Sequence, residues 1–247
     1  MRQLQYSLVL VLGLVSSVGF SAEEPSAAAA PASPWASTAE ASVLLTSGNT
    51  QFTTLGGAIE SSYKADPWAA KGKIGYLQNS QGGATKAELF TVDMRADRTI
   101  SGNLAGYLQG GFLRNTFAGF NSRTLTDVGL VYSVIKSTDH TLSTELGVGA
   151  VAEDRTDVGG NTFAMAKATV DYKWKISPSA DFGTQLSLLE NLKSTNDLRV
   201  SSVTSLSLVM TSILSTKVSF RVDYLNSPVA GKVATDTATT VALVAKF

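Results

Sequence analysis

Cysteine is absent from the 247 residues, which excludes a disulfide scaffold, thiol catalysis, Cys-ligated zinc and lipid attached to a cysteine behind an export signal. Histidine occurs once, at His140. Charge is scarce: Asp, Glu, Lys and Arg make up 16% of the chain, while hydrophobic residues hold 44%, a near-normal share. Acidic and basic residues balance at 20 each, so the chain has no electrostatic motive for binding nucleic acid. Long apolar runs are missing too. Past residue 22 no stretch approaches the roughly 18 apolar residues of a membrane helix. A surface this poor in charge needs a solvent other than water on part of it.

What is present begins with an address. Arg2 precedes the apolar run "SLVLVLGLVSSVGF" and the small residues Ser21 and Ala22. This order of features predicts a secretory signal peptide over residues 1–22, cut near residue 21 or 22. Residues 23–37, "EEPSAAAAPASPWAS", hold three of the six prolines and a run of alanines, and are expected to form a periplasmic linker. The other prolines, Pro67, Pro178 and Pro228, fall where turns or loops are expected.

Residues 38–247 divide into about twelve segments of roughly nine to thirteen residues, the length of a tilted strand crossing a bilayer. Alternation is clearest in "AMAKATVDYKWKI", where Ala164, Ala166, Ala168, Val170, Tyr172, Trp174 and Ile176 oppose Lys167, Thr169, Asp171, Lys173 and Lys175. A soluble sandwich alternates in the same way. The connectors discriminate, because tight ones at Asp66-Pro67, Gly102-Asn103, before His140, at Pro178 and near Ser212 take turns with longer ones at 79–86, 115–122, 154–162, 191–197 and 226–236. Short turns on one rim and longer loops on the other characterise an outer-membrane barrel. Aromatic residues fall into two groups, one near each set of strand ends. Tyr63, Trp68, Tyr132, Tyr172, Trp174 and Phe182 lie near the short turns. Phe52, Tyr76, Phe90, Phe112, Phe117, Phe120 and Phe163 lie near the longer loops, as two lipid interfaces favour.

The expected fold is all-β: a closed antiparallel transmembrane barrel of about twelve strands, monomeric, in contact with the outer-membrane bilayer. Closure follows because an unpaired backbone group in hydrocarbon costs several kcal/mol. The terminal strand "TVALVAKF" alternates apolar residues back from Phe247. Such an ending is similar to the signal that outer-membrane proteins present to the barrel assembly machinery, with Ala245 departing where an aromatic residue is common.

Three stretches, "SVLLTSGNTQFTTLGGAIESSYKADPW", "FNSRTLTDVGLVYSVI" and "TDTATTVALVAKF", together resemble the bacterial family of salt-induced outer-membrane proteins, a domain of unknown function. The resemblance covers about residues 38–247, and the Gly48-Asn49-Thr50 turn is its most specific element. It implies an outer-membrane fold and a link to osmotic or salt stress, and no mechanism.

A Lys or Arg facing lipid at the bilayer midplane costs about 2–4 kcal/mol, so the charged faces must point inward. The lumen-lining set is then Asp93, Arg95 and Asp97, followed by Arg123, Asp127 and Glu145. Further along it continues with Lys167, Asp171 and Lys173, then Arg199, Arg221 and Asp223. Glu60, Lys71 and Lys73 share that face, and Glu145 is expected near Lys167 to Lys173 across a hairpin. Two readings stay open: a narrow pore passing small polar solutes, and a sealed structural barrel whose charges satisfy one another. A lipid-modifying enzyme ranks below both, because His140 sits in a tight turn away from the place a catalytic dyad needs. Glu153, Asp154, Asp157 and Asn161 gather oxygens in one stretch, yet without the spacing of a calcium loop. No metal, cofactor or catalytic residue is expected. None of the loops is long enough to predict a large plug.

Overall fold

A computed structural model describes residues 33–46, 52–81, 84–116, 118–194 and 196–247. The proposed signal peptide, most of the proposed linker, the Gly48-Asn49-Thr50 turn and Phe117 lie outside the described residues. Twelve strands follow one another: β1 (Trp35–Thr46), β2 (Phe52–Ala65), β3 (Trp68–Gln81), β4 (Ala84–Ser101), β5 (Leu104–Asn115), β6 (Phe120–Lys136), β7 (His140–Arg155), β8 (Gly159–Ser177), β9 (Ala180–Asn191), β10 (Leu198–Val209), β11 (Leu214–Leu225) and β12 (Thr235–Lys246). Each pairs antiparallel with its sequence neighbours, and β1 pairs with β12 to close the barrel. The closing register runs from Thr38↔Lys246 to Val43↔Val241. Two backbone bonds between Ser37 and Phe247, at 3.1 and 3.0 Å, extend it to the last residue.

The period-two pattern sets what faces out. Ile59, Met94, Leu108, Leu146, Val148 and Leu206 project from the wall and are exposed. Their neighbours in sequence turn inward. An exterior of exposed Leu, Val, Ile and Met would aggregate in water and is stable where hydrocarbon wets it. The short-turn rim carries an outer belt in which Trp35 packs on Tyr63 at 5.0 Å. His140 belongs to this belt. Its ring stacks with Tyr172 and Trp174 at 6.1 and 5.9 Å, and Nδ1 meets the Tyr172 hydroxyl at 2.9 Å. It is thus a packed rim residue at the start of β7, where the sequence placed it in a tight turn.

Several boundaries differ from the sequence reading. Strand β1 begins at Trp35, three residues inside the expected linker, because the Trp35–Tyr63 contact gives those residues something to pack on. The connectors expected at 79–86, 115–122 and 154–162 are shorter, since β3 runs to Gln81, β4 starts at Ala84, and only 116–119 and 156–158 separate the strands on either side. Polar residues there continue the ladder instead of ending it. Register irregularities fall near Asn79, Ser101, Asn115, Ser122, Ser133 and Ser177, and the pairing of β9, β10 and β11 is regular.

Phe120 and Phe163 leave the expected outer belt altogether: at 2% and 3% exposure they point into the barrel. Phe163 joins Leu125, Val151 and Met165 in one inner apolar cluster. Phe120 joins Ala118 and Val229 in another. Val229 comes from the connector 226–234, which folds inward at the long-loop end, packs on Phe120 and lines the upper part of the interior. Gly119 makes the seat, because a Cβ there would lie 2.9 Å from the Val229 Cγ1. Arg155 donates to the Ser227 carbonyl at 3.3 Å, and Asp157 accepts from the Ala230 amide at 2.9 Å. Among the described residues no large plug fills the barrel, and this connector forms a lid on the upper interior.

Candidate functional site

The barrel interior is the site, and it is organised in three levels from the short-turn rim upward. At the lowest level the inward residues of β2, β3 and β4 place Glu60 3.4 Å from Lys71, with Lys73 opposite Asp93 in register. Arg95 on β4 is the strut. Its Nε and Nη2 hold Asp97 at 2.8–3.0 Å. Its Nη1 and Nη2 donate to Glu145 at 3.0 and 2.9 Å, two strands beyond its neighbour β5. Paired forks of this kind are the strong form of ion pair. Asp171 and Lys173 pair with each other at 3.7 Å.

Glu145 therefore meets Arg95, where proximity to Lys167 and Lys173 was expected. Register explains the difference. Glu145 lies opposite Thr169 and Lys167 lies opposite Gly147, so Lys167 passes over bare backbone on β7. It reaches Asp127 on β6 at 2.6 Å and donates to Gln109 Oε1 at 3.2 Å. The glycines of β7 are what permit this. A Cβ on Gly149 would lie 2.0 Å from the Thr126 carbonyl and 2.7 Å from the Asp127 Cβ. One on Gly147 would lie 2.2 Å from the Tyr107 hydroxyl. Tyr107 thus lies flat against the wall, with the Arg95 guanidinium 4.3 Å and the Lys167 ammonium 5.2 Å from its ring centroid. Tyr107, Gln109, Asp127 and Lys167 form the middle level.

At the upper level Glu153 is shared between two arginines. Arg123 Nε donates to it at 3.0 Å, and Arg199 donates through Nη1 and Nη2 at 2.9 and 3.1 Å. Arg199 also forks onto Asp197 at 2.7–2.9 Å. Asp197 lies in the connector before β10. Burial pushes its carboxyl up, but the Arg199 bonds outweigh that and hold it below the usual carboxylate range. Arg221 is forked onto Asp223 and donates to the Ser201 hydroxyl at 3.2 Å. Glu153, Asp154 and Asp157 find different partners: Glu153 turns inward, Asp154 accepts from Asn121 at 3.1 Å, and Asp157 holds the lid.

Among the described residues, two cavities lie along the axis. The lower, of about 280 Å³, has five cationic lining residues (Lys64, Lys71, Lys73, Arg95, Lys173) and five anionic ones (Glu60, Asp93, Asp97, Glu145, Asp171). The upper, of about 120 Å³, has apolar walls at Phe120, Leu125, Val151, Leu189 and Val229 beside polar ones at Thr169, Ser187 and Ser201. Gln109 lines both. Spaces this polar and roomy suit water below. The sequence reading did not single out Tyr107, Gln109 or Asp197, nor an inward role for Glu153. The alternation of "LGVGA" in β7 was the one available signal, since alternate glycines on an inward face mark a wall that other side chains cross.

The sequence profile of a family described as "Protein of unknown function, DUF481" matches residues 39–247. Among solved structures, the NanC porin superposes with a TM-score of 0.52 at 11% identity, over 86% of this chain and 98% of that one. The KdgM porin gives 0.50 at 8% identity, over 85% and 99%. An outer-membrane channel from Pseudomonas putida F1 gives 0.52 at 10% identity, over 91% and 100%. No curated protein matches the sequence. At such identities the likeness is one of fold: a closed twelve-stranded porin-like barrel.

Proposed function

Given that the chain belongs to the family of proteins of unknown function DUF481, we propose that it is a narrow passive channel of the Gram-negative outer membrane for small polar solutes. The observation that carries this reading is the pair of axial cavities meeting at one polar side chain, Gln109. A solute has the Arg95–Glu145 strut, the middle level and the lid to displace. Balanced charge in the lower cavity favours no sign of ion, so passage would be weakly selective. That solved barrels of this fold are named porins and channels agrees with the reading. Export by a cleaved signal peptide, docking of the assembly machinery at Phe247, a monomeric state and a role under salt stress belong to the same proposal.

A sealed structural barrel is the second reading, favoured by the Arg95–Glu145 strut across the lumen and by Val229 under the lid. Lipid modification draws no support from His140, whose ring partners are Tyr172 and Trp174 at the short-turn rim. The deciding experiment is conductance of the purified protein in planar bilayers, repeated with Arg95→Ala and Lys173→Ala. The channel reading expects discrete openings that grow in Arg95→Ala; a silent wild type together with silent variants leaves the sealed barrel. Outer-membrane fractionation, loss of insertion on removing Phe247, and growth of a deletion strain at raised NaCl check the remaining parts.

A further inference from the structure

Each axial cavity keeps a cation and an anion that its ion pairs do not use. In the upper cavity Arg123, Lys167, Arg199 and Arg221 are held by Glu153, Asp127, Asp197 and Asp223. Two charged lining residues remain, Lys232 from the lid and Asp236 near the start of β12. Asp236 is 7% exposed and, among the described residues, its carboxylate makes no hydrogen bond or ion pair. Register explains why: it stands opposite Asp223, whose bonds already occupy Arg221. Lys232 acts on Asp236 through space without closing a pair. The lower cavity repeats the arrangement on other strands. Lys71 holds Glu60, Arg95 holds Asp97 and Glu145, and Lys173 holds Asp171. Lys73 and Asp93 line the same space in register with each other and, among the described residues, form no ion pair. Of the two Asp93 oxygens only Oδ1 is sealed. Lys64, also unpaired, is exposed at the short-turn end.

A charge without a partner in such a space costs free energy that a solute of the opposite charge returns. A lone cation would be drawn to the aspartate of a cavity and repelled by its lysine, and a lone anion would meet the reverse. A neutral sugar supplies neither charge. A small zwitterion supplies both and carries no net charge into the lumen, so each end forms a charge-assisted bond without the penalty of moving a bare ion. We infer that the solutes this channel favours are small zwitterions of amino-acid type, with the ammonium on Asp93 or Asp236 and the carboxylate on Lys73 or Lys232. The inference rests on the channel reading and names its substrate class. Two stations in series, each with one free charge of either sign, let a solute bind weakly, leave and bind again, as conduction requires.

The test is swelling of vesicles that carry the full barrel, in isotonic glycine or glycolamide, with protein-free vesicles as the blank. The two solutes are isomers of similar size, and only glycine is a zwitterion at neutral pH. Expected is protein-dependent entry of glycine at least about threefold faster than that of glycolamide. Two double variants that leave the net charge unchanged, Lys232→Gln with Asp236→Asn and Lys73→Gln with Asp93→Asn, each bring the ratio of rates toward one. The ratio cancels any change in the fraction of open barrels. The variants alter different cavities, so folding trouble in one leaves the other to decide. Equal rates of both solutes through the wild type, or ion current in bilayers without entry of either, overturn the inference and leave the channel. A ratio that persists in both folded double variants overturns it as well. Entry of neither solute in a barrel that is also silent in bilayers defeats the channel reading and the inference together.

Discussion

Replacing Gly147 by alanine opposes two physical effects whose signs differ. Glycine inside a strand costs about 0.5–1 kcal/mol in backbone entropy relative to alanine, so β7 by itself should gain from the substitution. The tertiary structure reverses this. The new Cβ would stand 2.2 Å from the Tyr107 hydroxyl, 3.2 Å from Cζ and 3.1 Å from the Val128 carbonyl. Tyr107 must leave the wall, and overpacking of this kind costs about 1–3 kcal/mol. Its ring also gives up the Arg95 and Lys167 cations at 4.3 and 5.2 Å, each contact contributing about 0.5–2 kcal/mol. The net expectation is a loss of roughly 1–6 kcal/mol. Urea unfolding in lipid vesicles, followed by heat-modifiable gel migration, measures it. Gly110→Ala is the control, since nothing lies within 4 Å of a Cβ there and the methyl faces lipid; it should be neutral or stabilising by up to about 1 kcal/mol. Adding Tyr107→Phe to Gly147→Ala removes the hydroxyl and recovers part of the loss. A Gly147→Ala barrel as stable as Gly110→Ala would refute the claim that Tyr107 is wedged over β7.

Other perturbations test the upper level and the lid. Glu153→Ala strands Arg123 and removes one of the two carboxylates that Arg199 holds, so a loss of about 3–5 kcal/mol is expected in urea midpoints. Arg123→Met, which leaves Glu153 paired, should cost clearly less in the same assay. Asp157, outside the membrane, is held below the usual carboxylate range first by the Ala230 amide and also by Arg155, against a smaller effect of burial. Its latch on the lid is therefore fully present above the ordinary aspartate range and lost as pH falls through the lower value in the folded protein. Open probability in bilayers should rise on acidification below about pH 4, and Asp157→Asn should show that opening at neutral pH. Unchanged gating in Asp157→Asn would detach the lid from conduction. For the middle level, Lys167→Met and Asp127→Asn should each destabilise more than the double variant does, as a coupling analysis of unfolding would show.

Much of the architecture was legible because it is written in local chemistry. In β8 alternation alone sorted Ala164 to Ile176 from Lys167 to Lys175, and exposed Val170 and Trp174 against buried Thr169 and Asp171 follow that sorting. Twelve strands and closure follow from strand length and from the need to pair every backbone group in lipid. Phe120 and Phe163 were misread for the opposite reason: an aromatic residue near a strand end suits an interface belt or an inner cluster, and a register irregularity between Phe120 and Ser122 separates the two.

What the sequence by itself determined is therefore the alternation, the tight turns and the solvent each face meets, because those depend on neighbours one or two residues away. The partner of each charge was decided only by the tertiary structure. Arg95 finds Glu145 fifty residues on, and Lys167 finds Asp127 forty residues back, across the bare glycines of β7. Such pairings depend on how the strands are staggered around a closed wall and on which stretches of backbone are left uncovered. Neither quantity is a property of any short segment, and the lid over the upper cavity, resting on Gly119 and Phe120 from the far side of the chain, has the same origin.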